Sequence, residues 1–197
     1  MKSIRLALLI AVSAALVPLL AGCTPAAPSA TQGSTSTAAA HNAADTAFAQ
    51  MMVVHHEGAI EMSALAETKA GSAEVRSLAT RIKAAQGPEI DQMRGWLQEW
   101  GEAAPEDSSM AGMGHEGMDM GGLDQHAAMD ELGKLDGTAF DQRFLSLMIQ
   151  HHQGALTMAQ QQITQGRNQA AVALARTIVA AQEKEITEMQ GLLDGPR

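Results

Sequence analysis

The sequence predicts an all-α protein, a four-helix bundle built from two copies of one helical hairpin. Two observations carry this prediction. The chain repeats itself at an offset of 96 residues, and apolar residues in each repeat recur at steps of three and four, as on one face of a helix. No stretch shows the alternation that is typical of a β-strand. Two hairpins with one apolar stripe each can bury those stripes only against each other, which gives a bundle.

The first element is a predicted lipoprotein signal peptide over residues 1–22. Two basic residues precede an apolar run that ends in the tetrapeptide LAGC, as in a secretory signal. This ending resembles the lipobox of bacterial lipoproteins, in which the cysteine is acylated and becomes the first mature residue. We therefore expect lipidation at Cys23, with an ordinary signal peptide and an incidental cysteine as the alternative. The expected location is a bacterial membrane, on its periplasmic or cell-surface side.

Composition limits the chemistry of the exported part. Residues 23–41 are rich in Ser, Thr, Ala and Pro and are predicted to be a disordered tether. The chain has one cysteine, so disulfides and thiolate metal sites within the bundle are excluded. With 22 acidic residues against 13 basic ones and a net charge of −9, a nucleic-acid partner is excluded as well. Any binding of a soft metal must use methionine and histidine.

The bundle is predicted over residues 42–194. Each copy of the repeat contains two antiparallel helices joined by a short turn, with Ser72 and Asn168 as N-caps of the second helices. The first hairpin spans residues 42–101 and the second spans residues 138–194. Helices of this length joined by short turns must lie side by side.

The link between the hairpins, residues 102–137, is long enough to be the crossover of a ferritin-like bundle. A short helix is predicted within it, over residues 123–134. Thr138, with Asp141 three residues later, predicts a capping pattern at the start of the third long helix.

Each copy carries two adjacent histidines on the apolar stripe of its first helix. Neighbouring residues on a helix point about 100° apart, so one core histidine and one exposed histidine is the simplest interpretation. Against it, an uncompensated polar group on a buried stripe is costly. A methionine also lies one turn before the second histidine, where thioether and imidazole can reach one ion. The candidate metal ligands are His55, His56 and Met52 in the first copy, and His151, His152 and Met148 in the second.

The second helix of each hairpin is predicted to wall the histidine level, because antiparallel pairing across the turn brings its middle there. A carboxylate beside an imidazole would fix the tautomer of the ring. Pro88 interrupts this helix in the first copy alone and should kink it, so two sites, if both exist, should differ in shape. The walls are Gln86, Glu89 and Met93 in the first copy, and Gln182, Glu185 and Met189 in the second. Of these, the secondary candidates for metal ligands are Glu89, Met93, Glu185 and Met189.

Two further methionines, Met62 and Met158, lie two turns beyond the first histidine of each pair. That distance is about 10 Å along a helix, too far for one ion to touch Met52 and Met62 together. Core packing and ligation stay equally open for both. Thioether and imidazole donors favour Cu(I), with Ag(I) as a mimic, whereas histidine alone would also accept Zn or Cu(II).

The crossover contains the Gly-rich sequence MAGMGHEGMDMGG, which has no apolar periodicity. We interpret it as a flexible arm that captures copper and passes it to the bundle; a linker with incidental methionines is the alternative. His41, beside the tether, is expected to be solvated. The arm's candidate ligands are Met110, Met113, His115, Met118 and Met120.

The motif Met-x-x-His-His-x-Gly-Ala-x-x-Met occurs at residues 52–62 and again at residues 148–158. Both copies resemble the "domain of unknown function 305" family of secreted bacterial proteins, some of which bind copper. The resemblance implies a ferritin-like bundle and a role in copper binding or resistance outside the cytoplasm. Leu147 stands where the first copy has Met51, which leaves Met51 without an implied role. The implied ligands are Met52, His55, His56 and Met62, with Met148, His151, His152 and Met158.

The favoured hypothesis is a non-enzymatic lipoprotein that sequesters or delivers copper, which would imply a copper-donating or copper-accepting partner protein. Its other partners would be metal ions and, through the lipid on Cys23, a membrane. One alternative is a ferritin-like di-metal oxidase, but the Glu-x-x-His pattern of such sites occurs in neither copy. The other is a b-type haem bundle with His/Met axial ligands, for which the chain offers few aromatic residues.

Overall fold

The structure is a computed structural model that describes residues 40–105 and 123–195. Within these ranges it contains helices and no strand, so the predicted all-α, ferritin-like bundle is confirmed. None of the described helices has the length and apolar character needed to cross a bilayer. The helices are α1 (Ala43–Lys69), α2 (Ala73–Trp100), α3 (Gln125–Gly133), α4 (Gly137–Gln165) and α5 (Gln169–Asp194).

The two central helices are α1 and α4. Helix α1 packs against α2, α4 packs against α5, and the two hairpins meet through α1 and α4. These central helices are antiparallel: the Asn42 side chain donates to the Gln165 carbonyl at 2.9 Å at one end, and Ala70 pairs with Gly137 at the other. The start of each central helix thus lies beside the end of the other, and a local two-fold relates the hairpins.

The turns inside the hairpins follow the local rules. The Ser72 hydroxyl accepts from the Val75 amide at 3.2 Å, and Asn168 caps α5 in the same way, so both predicted N-caps are confirmed. Helix α2 continues through Pro88 from end to end. It stops at Gly101, whose φ of 73° is the left-handed conformation in which helices commonly end.

An aspartate near the start of α4 ties the second hairpin to the first. The Asp141 carboxylate accepts from the backbone amides of Gly71, at 2.9 Å, and Ser72, at 2.8 Å. Both amides belong to the α1–α2 turn. The predicted capping pattern of Thr138 and Asp141 is therefore wrong, because this carboxylate satisfies the turn of the other hairpin.

The first copy has an aspartate at the same position. Asp45 accepts from the Arg167 and Asn168 amides, at 3.1 and 3.0 Å, and from the Gln162 side chain at 2.5 Å. It also accepts from the Asn42 amide at 2.8 Å, closing a capping box at the start of α1. Burial alone would raise the pKa of the Asp45 carboxyl, but these hydrogen bonds together hold that pKa below its ordinary value.

The apolar core is divided into two clusters, one toward each end of the bundle. The Ala70-end core gathers the end of α1, the start of α2 and the start of α4, and α3 adds Ala128 and Leu132 to it. A bidentate pair from Arg143 to Glu131 holds α3 on α4, at 2.8 and 2.7 Å. The Phe48-end core gathers the opposite ends of the same helices and receives nothing from α3.

Candidate metal centre

The two histidine pairs lie next to each other in the middle of the bundle. The ring of His55 on α1 lies 3.6 Å from that of His151 on α4, centroid to centroid, with an angle of 41° between the planes. The exposed fractions are 2% for His55 and 4% for His151, and His56 and His152 are fully buried. The two histidine pairs therefore adjoin through His55 and His151, at the junction of the two hairpins.

The two hairpins thus meet at His55 and His151, while His56 and His152 contact the second helices of their own hairpins. The physical reason is the docking of the hairpins. Because α1 and α4 are antiparallel and cross near their midpoints, equivalent residues at those midpoints become neighbours. We call this arrangement of His55, His56, His151 and His152 the histidine centre.

Carboxylates of the second helices contact two of these rings. The Nε2 atom of His56 lies 2.8 Å from Glu89 Oε2, and the Nε2 atom of His152 lies 2.7 Å from Glu185 Oε2. A carboxylate accepts hydrogen bonds, so each neutral ring carries its proton on Nε2 and its lone pair on Nδ1. Both Nδ1 atoms are buried and have no hydrogen-bond partner among the described residues.

Burial strongly affects the protonation of the centre. Desolvation, together with the neighbouring imidazoles of His55, His152 and His56, holds the pKa of His151 well below its ordinary value. His151 is therefore neutral at neutral pH, which is the form of imidazole that binds metals. Its Nδ1 atom also has no hydrogen-bond partner within the described part of the chain.

Methionines lie on both sides of the histidine centre, in two groups that each combine the two hairpins. Met52 and Met62 lie in different cores, in keeping with their spacing along α1. All six methionines are fully buried except Met158, which is 4% exposed. The Phe48-end core contains Met52, Met93 and Met158, and the Ala70-end core contains Met62, Met148 and Met189.

Other donors near the centre are amides. Gln86 and Gln182 are each 3% exposed. Both polar atoms of the Gln86 side chain, and Oε1 of Gln182, have no hydrogen-bond partner in the ranges that the structure describes. In those ranges, no three side chains of the types His, Cys, Asp and Glu are grouped so that they could hold a metal ion.

Several predicted ligands lie outside the described residues, and nothing tests them. They are the lipidation site and the candidates of the crossover arm. The predictions for these positions stand unchanged: Cys23, Met110, Met113, His115, Met118 and Met120.

Sequence reasoning missed an aromatic stack at the end of α2. His41, expected to be solvated, stacks on Trp100 at 4.6 Å with an interplanar angle of 6°. Its Nε2 atom lies 3.3 Å from Glu102 Oε1, and Trp96 stacks on Trp100 at 5.9 Å. The two tryptophans lie one helical turn apart, which was the available signal. Met51 packs at the edge of the adjacent Phe48-end core.

The fold and the centre together define a duplicated helical bundle with histidine and methionine side chains at the junction of its two halves. The chain belongs to the family described as "Domain of unknown function (DUF305)", whose family model matches residues 45–193. The resemblance found in the doubled motif is thereby confirmed. No curated protein matches the chain.

Solved structures of relatives have the same fold. A DUF305 protein from Streptomyces coelicolor, classed as secreted, is 37% identical with a TM-score of 0.67, over 76% of this chain and 90% of that one. A DUF305 fragment from Deinococcus radiodurans is 32% identical with a TM-score of 0.67, over 77% and 96%. CopM in its Cu(II)-bound form is 32% identical with a TM-score of 0.64, over 76% and 95%. CopM structures in Cu(I)-bound, Ag-bound and apo forms also match.

Proposed function

We propose that this protein binds copper outside the cytoplasm and sequesters or delivers it, without catalysing a reaction. The observation that carries the proposal is the contact of the two buried histidine pairs at His55 and His151, with methionine thioethers in the cores on both sides. The copper-bound and silver-bound forms of CopM support copper as the ion, since CopM shares the fold and about a third of the residues.

The ligands proposed for the ion come from both hairpins. The buried Nδ1 atoms of His56, His151 and His152 offer lone pairs that no other described group takes up. Glu89 and Glu185 would orient two of these rings from behind. Methionine sulfur would complete the ligand set on either side. Imidazole with thioether suits Cu(I) best, and imidazole alone would also hold Cu(II) or Zn.

The proposed location follows from the sequence and from a relative. A leader that ends in LAGC predicts export and lipidation at Cys23, and the Streptomyces coelicolor relative is classed as secreted. Outside the cytoplasm methionine has an advantage over cysteine, because it binds Cu(I) and forms no disulfide. The proposed protein is therefore a lipoprotein on the periplasmic or cell-surface side of a membrane.

The crossover arm would serve as a first point of capture. Residues 108–121 contain four methionines and one histidine within an acidic, Gly-rich sequence. Deleting this segment is expected to lower the number of ions bound and to leave the bundle folded, as judged by circular dichroism.

A Cu(I) titration against a competing chelator tests the proposed function. The purified protein is expected to hold Cu(I) more tightly than a variant with alanine at His55, His56, His151 and His152. A matched control replaces His126, whose side chain is 88% exposed on α3, and should titrate like the wild type. Equal affinity of the wild type and the quadruple variant would refute the proposal.

The visible spectrum and metal content of the protein as purified test the alternatives. A Soret band would identify a haem bundle, and bound iron with oxidase turnover would identify a di-metal oxidase. Neither is expected.

A further inference from the structure

The first residue of α3 is fastened to α1 beside the histidine centre. The Gln125 amide nitrogen donates to the Gly58 carbonyl at 3.0 Å and lies 3.2 Å from Glu61 Oε2. A Cβ atom at Gly58 would come within 2.8 Å of Gln125 Oε1. Gly58 therefore forms a notch in α1 that receives the half-buried Gln125 side chain, and a Cβ atom there would displace the end of that side chain.

The notch lies beside His55 on α1. Gly58 is one turn further along α1 and about 60° around the helix from His55, in the direction away from His56. His56 is turned toward α2 and contacts Glu89 there. His55 is turned toward α4, where its ring meets that of His151. The Gln125 side chain thus lies at the outer edge of the seam between α1 and α4.

The two histidines that meet at this seam differ in exposure from the other two. His55 and His151 are the two members of the centre that keep any exposed surface, at 2% and 4%, whereas His56 and His152 are fully buried. Helix α3 contacts both α1 and α4, so it lies across the seam from the level of Gly58 toward the Ala70 end. On this face of α1, the side chain that covers Gly58, one turn from His55, is that of Gln125.

We propose that the Gln125 side chain is a latch that sets how fast copper enters and leaves the His55–His151 pair. The inference rests on the proposed copper binding. Gln125 has no role as a ligand in it. Its hydrogen bonds to Gly58 and Glu61 keep the seam closed, and breaking them opens the path without changing the ligands. The latch therefore acts equally on loading and unloading and leaves the equilibrium affinity unchanged.

Transfer kinetics test the latch. Purified protein loaded with Cu(I) is mixed with an excess of a chromophoric Cu(I) chelator, and loading of the apoprotein from a Cu(I) complex is timed separately. In Gln125→Ala both rates are expected to rise about fivefold, the factor expected for the loss of a net hydrogen bond, at an unchanged dissociation constant. Asp130→Asn, an exposed change on the same helix, is the matched control and should leave both rates unchanged.

A second variant opens the latch from the other side. Gly58→Ala places a Cβ atom against the Gln125 amide and should raise both rates as Gln125→Ala does. Gly95→Ala, at a helical glycine with nothing within 4 Å of an added Cβ, controls for the change in helix propensity. Thermal unfolding followed by circular dichroism verifies that each variant is folded.

The outcomes distinguish a failure of the latch from a failure of the proposed copper binding. Unchanged rates in Gln125→Ala, or a faster release matched by an equal loss of affinity, would overturn the latch and leave copper binding in place. If the wild type itself takes up no Cu(I), the proposed function fails, and the latch fails with it.

Discussion

The two hairpins are copies of one sequence, yet they are fastened to each other unequally. Asp45 of the first copy accepts from three groups of the second hairpin, on Gln162, Arg167 and Asn168. Asp141, its counterpart, accepts from two backbone amides of the first hairpin. The second copy therefore retains the position of the carboxylate and its direction across the interface, while the strength of the attachment differs.

The largest expected effect is on stability, and it comes from removing each of these two carboxylates in turn. Asp45→Ala should lower the free energy of unfolding by roughly 3 kcal/mol, because several hydrogen bonds to a buried carboxylate are lost. Asp141→Ala removes fewer bonds and should cost about 1.5 kcal/mol. Urea unfolding of both variants measures the difference. Equal costs would show that the additional donors on Asp45 contribute nothing.

Acidification should affect the same attachment. The pKa of Asp45 is lowered from 3.8 in the folded protein, so the unfolded chain takes up this proton at a higher pH than the folded one. The stabilisation from Asp45 is complete above the ordinary pKa and is lost as the pH falls through the lowered one. Between pH 5 and pH 2.5 the free energy of unfolding should fall less in Asp45→Asn than in the wild type. A parallel pH dependence in the two proteins would contradict the assignment.

The two methionine groups offer a second comparison, between the two sides of the histidine centre. Removing two thioethers from the side that binds copper should lower the Cu(I) affinity about tenfold. Changes outside the ligand shell already cost metal affinity by 10- to 100-fold, so losing two thioethers should cost at least about tenfold. Met52→Leu with Met158→Leu removes sulfur from the Phe48-end core, and Met62→Leu with Met148→Leu removes it from the Ala70-end core. Leucine conserves volume, so the fold should survive. If competition titrations show a loss in one double variant alone, copper is held on one side of the histidine centre.

The smallest expected effect on stability concerns the aromatic stack of His41 on Trp100, which has no counterpart in the second hairpin. His41 stacks on Trp100 at the end of the first hairpin, and the position equivalent to His41 in the second copy is Gly137. His41→Ala should cost about 0.5 kcal/mol, since the stack lies at the surface. It should also change the tryptophan emission, because both tryptophans are in the stack. An unchanged emission spectrum would show that the stack does not persist in solution.

The sequence was sufficient for the elements and for the contacts within each hairpin. The caps Ser72 and Asn168 and the pairing of Glu89 with His56 follow from local rules and from the antiparallel geometry of a hairpin. Contacts between the hairpins could not be predicted from the sequence, because they depend on where α1 and α4 cross. The meeting of His55 with His151 is one such contact. The role of Asp141 is another, since its carboxylate accepts from the amides of the α1–α2 turn and does not cap its own helix.

The histidine centre lies on the local two-fold, and this position determines whether assembly of the centre depends on protein concentration. One hairpin supplies half of the centre, so two unlinked hairpins would have to associate before His55 and His151 could meet, and dilution would separate them. The crossover turns that association into an intramolecular event with an effective concentration in the millimolar range. The joined chain therefore keeps the centre assembled at any abundance, and its stoichiometry is fixed at one centre per polypeptide.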